Sequence, residues 1–447
     1  MNKKQVLVSC LLIISLIFTS CTGDTPKTES VLKNLSERPE RMTYQESEED
    51  DAKQRKISAW HEDMRKRSDA SLRHSAKLKP FYAQTLKKAL TAEKGENIIL
   101  SPINIYIATA MLAEYTEGTT RAELLRILGF EKISDLRACV RDTWNANYEL
   151  FEQHKSILSN SVWLNHTLSV KKDVLDILSK EYYADSFIGD PQDAAYTEEL
   201  RNWINRATEG LLKKYTDRIE IHPQMLIRLI STIYYKTAWK NAFDAEETKK
   251  EIFRGTESDR EVEMMQNSHP FTQYKSEHWK AVEIPLGGEN VCYFILPNEA
   301  YHLNTVLEEA EDSALSFLNL LDDEKSRKMI TNPTSLCKIP KFDLDSKIDL
   351  KKLLESLGAL EVTASFGADF GALTDSPNVA ISNAEHAARV MFDEQGITGA
   401  AYSTYEISMT AFITASENEF IVDRPFLFLI VGRDRNILFC GSVRNIP

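Results

Sequence analysis

Residues 97–113 read NIILSPINIYIATAMLA and carry the clearest local signal in the chain. The pair Ser101-Pro102 is a typical helix start, because a small polar residue precedes the helix and proline tolerates its first position. The apolar residues that follow predict a helix over Ile103–Ala113.

Working outward, helical spacing recurs in the first half of the chain and strand-like runs dominate the second half. Further helices are predicted over Phe81–Leu90, over Thr119–Leu128, which Gly129 ends, and over Glu199–Lys214. Strands are predicted over Ser159–Leu164, Leu226–Tyr235, Lys280–Ile284, Val291–Leu296, Leu336–Ile339, Phe426–Val431 and Leu438–Val443. This order favours an α+β fold whose sheets combine strands that are distant in sequence.

The composition is that of a soluble globular protein with a large core. Of the 447 residues, 43% are hydrophobic and 27% are charged, and the net charge is −13. A surface of this sign repels nucleic acid, so we exclude nucleic-acid binding.

The first 21 residues have the features of an export signal: Lys3 and Lys4, then an apolar run over 6–18. Phe18-Thr19-Ser20-Cys21 is similar to a bacterial lipoprotein cleavage site, so we expect lipidation of Cys21. An ordinary signal peptide that contains a cysteine is the alternative. The polar residues 22–67 predict a flexible tether, with 57–67 as a candidate helix, and the folded domain is expected over 68–447.

No enzyme motif stands out. The chain lacks G-x-S-x-G, H-E-x-x-H and the phosphate-binding G-x-x-x-x-G-K-[ST] pattern, and the S-x-x-K match at Ser169–Lys172 has no K-T-G partner. The cysteines Cys139, Cys292, Cys337 and Cys440 have no metal-site spacing and are interpreted as structural thiols, with a disulfide between two of them as the alternative. Nothing in the sequence indicates a cofactor, a metal or an oligomer, so a monomer is expected.

A collinear set of short motifs over about 380 residues resembles the serpin family. These motifs are Asn97–Ile105, Ala108–Leu112, Gly118-x-Thr120, Ile127–Phe130, Asn202–Ile204, Thr208-x-Gly210, Ile233–Trp239, Met264–Gln266, Ile295–Pro297, Ile339–Phe342, Asp349-Leu350, Leu357-Gly358, Ala368–Phe370, Leu373-Thr374, His386-x-Ala388, Asp423–Phe426 and, at the end, Phe439-x-Gly441-x-Val443-x-Asn445-x-Pro447.

The resemblance implies three β-sheets, about nine helices and an exposed reactive loop near the C-terminus. It also implies a metastable inhibitor: a protease cleaves the loop, the loop inserts into the large sheet as a new strand, and the acylated protease is trapped.

The resemblance places the hinge of that loop at Glu394, Gln395, Gly396, Ile397, Thr398, Gly399, Ala400 and Ala401. In an inserted strand, side chains must alternate between faces. Odd positions from Ile397 to Met409 are mostly apolar or small and are expected to face the core, whereas even positions carry the only charge, Glu406. Ile397 and Tyr402 are bulkier than is usual for the family, which would slow insertion.

The family spacing places the cleaved bond at Thr410-Ala411, with Met409 or Phe412 as alternatives. No Lys or Arg occurs between Ile397 and Asp423, and a trypsin-like pocket requires a basic residue. The resemblance therefore implies elastase-, subtilisin- or chymotrypsin-like targets, with papain-like cysteine proteases as a further class.

A polar cluster that controls opening of the large sheet is implied at Ser101, Asn104, Ser231 and His386, in which Asn104 and Ser231 have exchanged the residue types usual at their positions. A buried histidine without a switching role is the alternative. Trp239 is implied at the loop entry point.

The expected function is therefore inhibition of a secreted serine protease by an exported, lipid-anchored protein that faces the periplasm or the cell exterior. A non-inhibitory binding or carrier module is the alternative, and an enzyme is not expected.

Overall fold

The computed structural model describes residues 31–41, 50–92, 95–151, 154–308, 310–311, 314–364, 366–377, 379–381, 384–397 and 419–447. The α-helices in these ranges are α1 (Asp50–Leu72), α2 (Ser75–Ala92), α3 (Pro102–Tyr115), α4 (Gly118–Ile127), α5 (Ile133–Asn147), α6 (Lys172–Tyr182), α7 (Ala194–Ala207), α8 (Lys213–Thr216), α9 (Leu303–Glu308), α10 (Asp323–Arg327), α11 (Leu350–Ser356) and α12 (Leu360–Thr363). Short 3₁₀ helices cover Ala245–Glu247, Gly287–Glu289 and Ser316–Leu321. No helix in these ranges combines the length and the apolar character needed to cross a bilayer.

The strands in these ranges form three large sheets and one small ribbon, which confirms the expected α+β architecture with three β-sheets. The eight-stranded sheet, here called the large sheet, contains β1 (Leu32–Asn34), β3 (Glu149–Phe151), β4 (His154–Asn165), β5 (Ala184–Gly189), β6 (Ile227–Ala238), β16 (Phe342–Asp349), β17 (Glu385–Phe392) and β18 (Gly396–Ile397). Its order is β1-β5-β4-β6-β18-β17-β16, with β3 paired to β4.

The second sheet has seven strands and the third has four. The seven-stranded sheet contains β2 (Ile98–Leu100), β9 (Phe271–Lys275), β10 (Trp279–Pro285), β11 (Val291–Pro297), β14 (Ile330–Thr334), β20 (Phe426–Val431) and β21 (Ile437–Val443). The four-stranded sheet contains β7 (Lys249–Arg254), β8 (Asp259–Asn267), β15 (Leu336–Pro340) and β19 (Glu419–Ile421). A small ribbon pairs β12 (Ala310–Glu311) with β13 (Ala314–Leu315).

Helix α3 forms where the sequence predicts a helix and lies at the centre of the molecule. It contacts β6 of the large sheet and β21 of the seven-stranded sheet. Almost every side chain in it is buried, as expected for a helix that is apolar on all sides. The start of α3 therefore places Ser101, at the N-cap, and Asn104, in the first turn, directly beneath the large sheet.

The helix predicted over Glu199–Lys214 is interrupted. Helix α7 ends at Ala207, and α8 begins only at Lys213. Glu209 and Gly210 have φ values of 46° and 78°, a left-handed conformation that cannot continue a right-handed helix. The interruption turns the chain so that it crosses the large sheet.

Two stretches that we expected to form part of a flexible tether instead pack on the domain. Residues 32–34 pair with β5 at the edge of the large sheet, and α1 packs along α5. Trp60 and Met64 of α1 are buried, and Arg67 binds the buried carboxylate of Glu149. A few apolar side chains on one face are therefore enough to dock this polar segment.

Candidate functional site

The large sheet is split between β6 and β17, and we call this gap the seam. Both strands are described in full, and no backbone pairing joins one to the other. Each instead pairs with β18: Gly396 lies opposite Ala238, Ile397 lies opposite Thr237, and Phe392 lies opposite Ile397. Beyond this two-residue strand the facing edges of β6 and β17 are separated by a cavity of about 540 Å³.

The cavity is bordered by the free edges of both strands. Its sides are residues 227–233 of β6 and 385–389 of β17, its floor includes residues of α3, and residues 204–220 cover it from the front. Because strand edges present unpaired N–H and C=O groups, an extended segment placed here would pair on both sides.

Gly396 is required where the loop enters the seam. A Cβ atom at this position would lie 2.1 Å from the carbonyl oxygen of Thr237 and 2.8 Å from the Cα atom of Ala238. Both contacts are with backbone atoms, so no side-chain movement could relieve them. Ile397, the next residue, is 1% exposed, which matches the inward orientation expected for odd positions of the loop.

Trp239 lies at the entry point and fixes the hinge through its backbone and its ring. Its backbone N–H donates to the carbonyl oxygen of Gln395 at 3.1 Å, and its indole Nε1–H donates to the carbonyl oxygen of Asp393 at 2.8 Å. The ring also packs against Phe392, with centroids 5.9 Å apart. The sequence placed this residue at the loop entry, and the structure brings it there.

Glu394 anchors the hinge electrostatically. Its Oε1 atom accepts a hydrogen bond from the Thr248 hydroxyl at 2.8 Å and lies 3.3 Å from the Lys341 ammonium. Partial burial opposes ionisation of Glu394, but these hydrogen bonds, one from its own backbone and the Lys341 charge outweigh burial and hold its pKa below the ordinary value. Neither partner was identified from the sequence, in which Lys341 appeared only as part of a family motif.

The predicted polar cluster comes together beneath the seam. The backbone N–H of Ser101 donates to His386 Nε2 at 3.0 Å, and Asn104 Nδ2 donates to the carbonyl oxygen of Ser231 at 3.1 Å. Burial lowers the pKa of His386 to about 4, so its ring is neutral at pH 7. The exchange of roles between Asn104 and Ser231 stays a prediction, because Asn104 contacts the Ser231 backbone and not its hydroxyl.

Two buried polar atoms near this cluster have no hydrogen-bond partner among the described residues: Ser101 Oγ and Asn160 Oδ1. Asn160 lies opposite Ser231 across the β4–β6 ladder, and its Nδ2 donates to the carbonyl oxygen of Tyr182 at 2.7 Å. Sequence reasoning missed Asn160, and its only signal was an amide side chain within an apolar strand.

Several predicted residues lie outside the described ranges. These are Cys21, the hinge residues Thr398, Gly399, Ala400 and Ala401, and the candidates for the cleaved bond, Met409, Thr410, Ala411 and Phe412. Cys139, Cys292, Cys337 and Cys440 are buried and free, and burial raises the pKa of Cys139 to about 12. Within the described ranges, no cluster of His, Cys, Asp or Glu side chains is arranged to hold a metal ion.

Comparison with protein families gives a match to the model described as "Serpin (serine protease inhibitor)", over residues 76–446. Among curated proteins, the chain is 27% identical over 369 residues to intracellular coagulation inhibitor 2 of Tachypleus tridentatus, and the match covers 79% of this chain and 86% of that protein.

Solved structures show the same fold. The thermophilic serpin tengpin in its native state matches with a TM-score of 0.73 at 23% identity, covering 83% of this chain and 93% of that chain. Human thyroxine-binding globulin in complex with its ligand matches with a TM-score of 0.72 at 20% identity, covering 84% of this chain and 100% of that chain.

Proposed function

The chain belongs to the serpin family, and on that premise we propose that it inhibits proteases by inserting its cleaved loop into the seam. Serpins are generally inhibitors and not catalysts. One observation carries the proposal: β18 already occupies the entry of the seam, paired on both sides, while β6 and β17 stay apart beyond it.

The proposed chemistry is acyl transfer. The hydroxyl of the protease's catalytic serine attacks a loop carbonyl carbon, the peptide bond breaks, and the new amino terminus leaves with a proton. The carbonyl stays esterified to the protease. If the loop enters the seam before water attacks this ester, the protease is carried away with it and stays bound.

The length of the seam supports this order of events. Continuing the register of β18 along β6 places residues 398–407 opposite residues 236–227. A ten-residue strand that pairs on both sides makes roughly fifteen to twenty new backbone hydrogen bonds, each contributing about 1 kcal/mol net. Ordering the backbone costs about 1–2 kcal/mol for each residue and offsets much of this gain, so burial of the inward-facing side chains supplies the rest of the driving force.

For the target we propose elastase-, subtilisin- or chymotrypsin-like serine proteases, with papain-like cysteine proteases as a second class. The support is the absence of Lys and Arg between Ile397 and Asp423, which removes the residue that a trypsin-like pocket selects. The bond proposed for cleavage is Thr410-Ala411.

We also propose that the protein is exported and lipid-anchored through Cys21, with the domain facing the periplasm or the exterior of a bacterial cell. The support is the basic start, the apolar run and the terminal cysteine of residues 1–21.

The test uses the chain from residue 31 onward, which retains β1 and α1. It is mixed with elastase, with subtilisin and with trypsin as the control, and analysed on a denaturing gel and by mass spectrometry of the released C-terminal peptide. We expect a covalent complex with the first two proteases and a peptide that begins at Ala411. Cleavage without a complex, and without a gain in thermal stability, would refute the inhibitory function.

A non-inhibitory binding or carrier module is the second candidate. The bulk of Ile397 favours it, because a large side chain at the first inserted position slows insertion relative to hydrolysis of the ester. The Ile397→Thr variant distinguishes the two functions. If the parent is only cleaved and the variant forms a covalent complex, slow insertion explains the missing complex. If neither chain forms a complex, the carrier function is favoured.

A further inference from the structure

Residues 31–41, which we call the brace, are fixed to one edge of the large sheet. Their strand, β1, pairs with β5. Val31 is buried in a cluster with side chains of β4, β5 and α7, and Lys33 Nζ lies 3.2 Å from a carboxylate oxygen of Glu199 in α7. The brace therefore contacts both the edge strand of the sheet and the helix that packs on it.

A buried carboxylate takes most of its hydrogen bonds from the brace. Asp185 of β5 is 4% exposed. Its Oδ1 atom accepts a hydrogen bond from the backbone N–H of Ser36 at 2.9 Å and lies 3.0 Å from the Ser36 hydroxyl. Its Oδ2 atom accepts from Trp203 Nε1 at 2.9 Å and from Arg38 Nη2 at 3.3 Å. Because a buried charge is costly without such donors, Asp185 holds the brace in one position.

The register places the start of the brace at one end of the large sheet, which we call the base. Leu32 is level with Ile227, the first residue of β6, through successive pairings across β5 and β4. The loop enters at the other end, where Gly396 lies opposite Ala238, the last residue of β6. Eleven residue steps of about 3.3 Å therefore put about 36 Å between the base and the loop entry.

Both described ends of the reactive loop lie at the loop entry and away from the base. Glu394, just before the hinge, is 3.3 Å from the Lys341 ammonium. Strand β19, which follows the loop, pairs with β15, and β15 ends one residue before Lys341. The chain before Val31 thus joins the domain at one end of the large sheet, and the loop begins and ends at the other.

The brace decides at which end of the domain the preceding chain is attached. Without it, the first docked element would be α1, whose His61 Nδ1 lies 3.7 Å from a carboxylate oxygen of Glu289. Glu289 ends the 3₁₀ helix that follows Leu286, and Leu286 pairs with Trp239 at the loop entry. Docking of the brace therefore moves the attachment from the neighbourhood of the loop entry to the base.

The brace also shortens the linker to the proposed lipid. Ten residue steps separate Cys21 from Val31, and a chain of this length spans at most about 36 Å when fully extended. Flexible chains of ten residues have average end-to-end distances of roughly 16–19 Å. An inverted domain, with the loop entry on the lipid, would need the linker at full extension along the whole sheet, whereas an upright domain would not.

We propose that the brace holds the domain upright on the bilayer, with the base toward the lipid and the reactive loop toward the surroundings. The partner that this arrangement fits is a protease free in solution, because the loop entry stands about 36 Å beyond the base. The role of the lipid rests on the proposed anchoring through Cys21, whereas the docking of the brace does not.

The test uses the chain from Cys21 onward, coupled to a maleimide lipid through the Cys21 thiol. The protein is bound to vesicles of phosphatidylethanolamine and phosphatidylglycerol, so the orientation is measured whether or not cells add the lipid. The coupling is confined to Cys21, because the other cysteines of this chain are buried: Cys139, Cys292, Cys337 and Cys440.

Energy transfer to a dye on the lipid headgroups measures which end of the domain is nearer the bilayer. A donor dye is attached through a clickable amino acid that replaces either Gln192, just beyond the base, or Lys240, just beyond the loop entry. Both side chains are exposed. We expect stronger transfer from position 192 than from position 240.

Two variants release the brace, and a third is the matched control. Ser36→Pro removes both groups of Ser36 that reach Asp185, and Val31→Asp places a charge in the buried cluster. Each should cancel or reverse the difference in transfer between the two dye positions. Glu37→Ala changes an exposed side chain within the brace and should behave as the parent.

Hydrogen exchange at residues 184–188 of β5 shows whether the brace has been released. Exchange should rise in both release variants and stay at the parent level in the control; unchanged exchange in both would show that these contacts do not hold the brace. Equal transfer from the two positions in the parent, or a parent-like difference in a variant whose β5 exchange has risen, would overturn the proposal. Absence of a lipid on the chain purified from cells would refute the anchoring through Cys21, but the vesicle measurement would still decide whether the brace sets the orientation.

Discussion

Replacing Gly396 with alanine should loosen the entry of the seam without unfolding the domain. The added Cβ atom would lie 2.1 Å from the Thr237 carbonyl oxygen, far inside contact distance, and the obstacle is backbone. Retaining the strand pairing with this contact costs roughly 1–3 kcal/mol, as for overpacked cores.

The alternative is to expel the hinge, which costs more. It would expose Ile397, with a loss of about 1.5–3 kcal/mol of burial. It would also break the hydrogen bonds that Trp239 and Phe243 donate to the carbonyl oxygens of Gln395 and Glu394, each contributing about 1 kcal/mol net. Since expulsion costs roughly 3–5 kcal/mol, the Gly396→Ala protein should keep β18 in place under strain and open more often.

The strain predicts the size of the effect. A cost of 1–3 kcal/mol corresponds to opening that is roughly 5- to 150-fold more frequent, at 1.4 kcal/mol for each factor of ten. Hydrogen exchange at the backbone amides of Trp239 and Phe243 measures this opening directly. Gln395→Ala, which changes an exposed neighbouring side chain, should leave both rates unchanged. Parent-like exchange in the Gly396→Ala protein would show that the backbone contact does not govern the entry.

Three further predictions concern the same region. Ile397→Glu should abolish covalent complex formation while leaving cleavage intact, because it forces a charge into the interior. Thr398→Glu, at a position that strand alternation predicts to face outward after insertion, should still yield complex on a gel. Because the pKa of Glu394 is lowered, its contribution to stability is complete above its ordinary pKa of about 4.3 and is lost as the pH falls below that value. In a plot of urea midpoint against pH, Lys341→Ala should flatten the slope in this acidic range. An unchanged slope would contradict the ion pair. The pKa of His386 is lowered to about 4, so the stability due to its neutral ring is complete above pH 6.5 and declines as the pH falls toward 4. The His386→Gln protein should lose less stability over this pH range. If it loses as much as the parent, other groups cause the decline.

Local pattern was sufficient to predict the elements from which the fold is built. The strand-like runs became β4, β6, β10, β11, β15, β20 and β21, because apolar and β-branched residues at strand spacing fit a half-buried pleated surface. The Ser101-Pro102 pair predicted the start of α3 correctly, because a helix start also depends on neighbouring residues alone. Periodicity did not predict the interruption after Ala207, because Glu209 adopts a left-handed conformation that its residue type does not favour.

The site residues that were predicted came from the family pattern, which gives their positions but not the contacts that explain them. Gly396 and Trp239 could be assigned to the hinge and the loop entry from a family pattern, but the reason for Gly396 is the Thr237 carbonyl oxygen, which belongs to a strand far away in the sequence. The contacts of Glu394 with Lys341 and Thr248, and the hydrogen bond from Tyr215 to Asp345, join segments more than fifty residues apart. Such pairs depend on tertiary geometry that no local spacing encodes. The docking of α1 was missed because its composition is polar overall and its contact face is narrow.

Under the proposed mechanism, the seam is where the cleaved chain would reach a state of lower free energy. Ile227, Leu229 and Ile230 of β6 remain partly exposed to the cavity, although they belong to a sheet whose other central strand, β4, is almost wholly buried. Filling the seam would bury these side chains at about 25 cal/mol for each Å² removed from water and would pair the free strand edges. Because the gain is available only to a strand that enters from Gly396, the barrier must come from groups that keep the two edges in their present positions. The hydrogen bonds around His386 act beneath the seam, so weakening them should speed insertion of the loop.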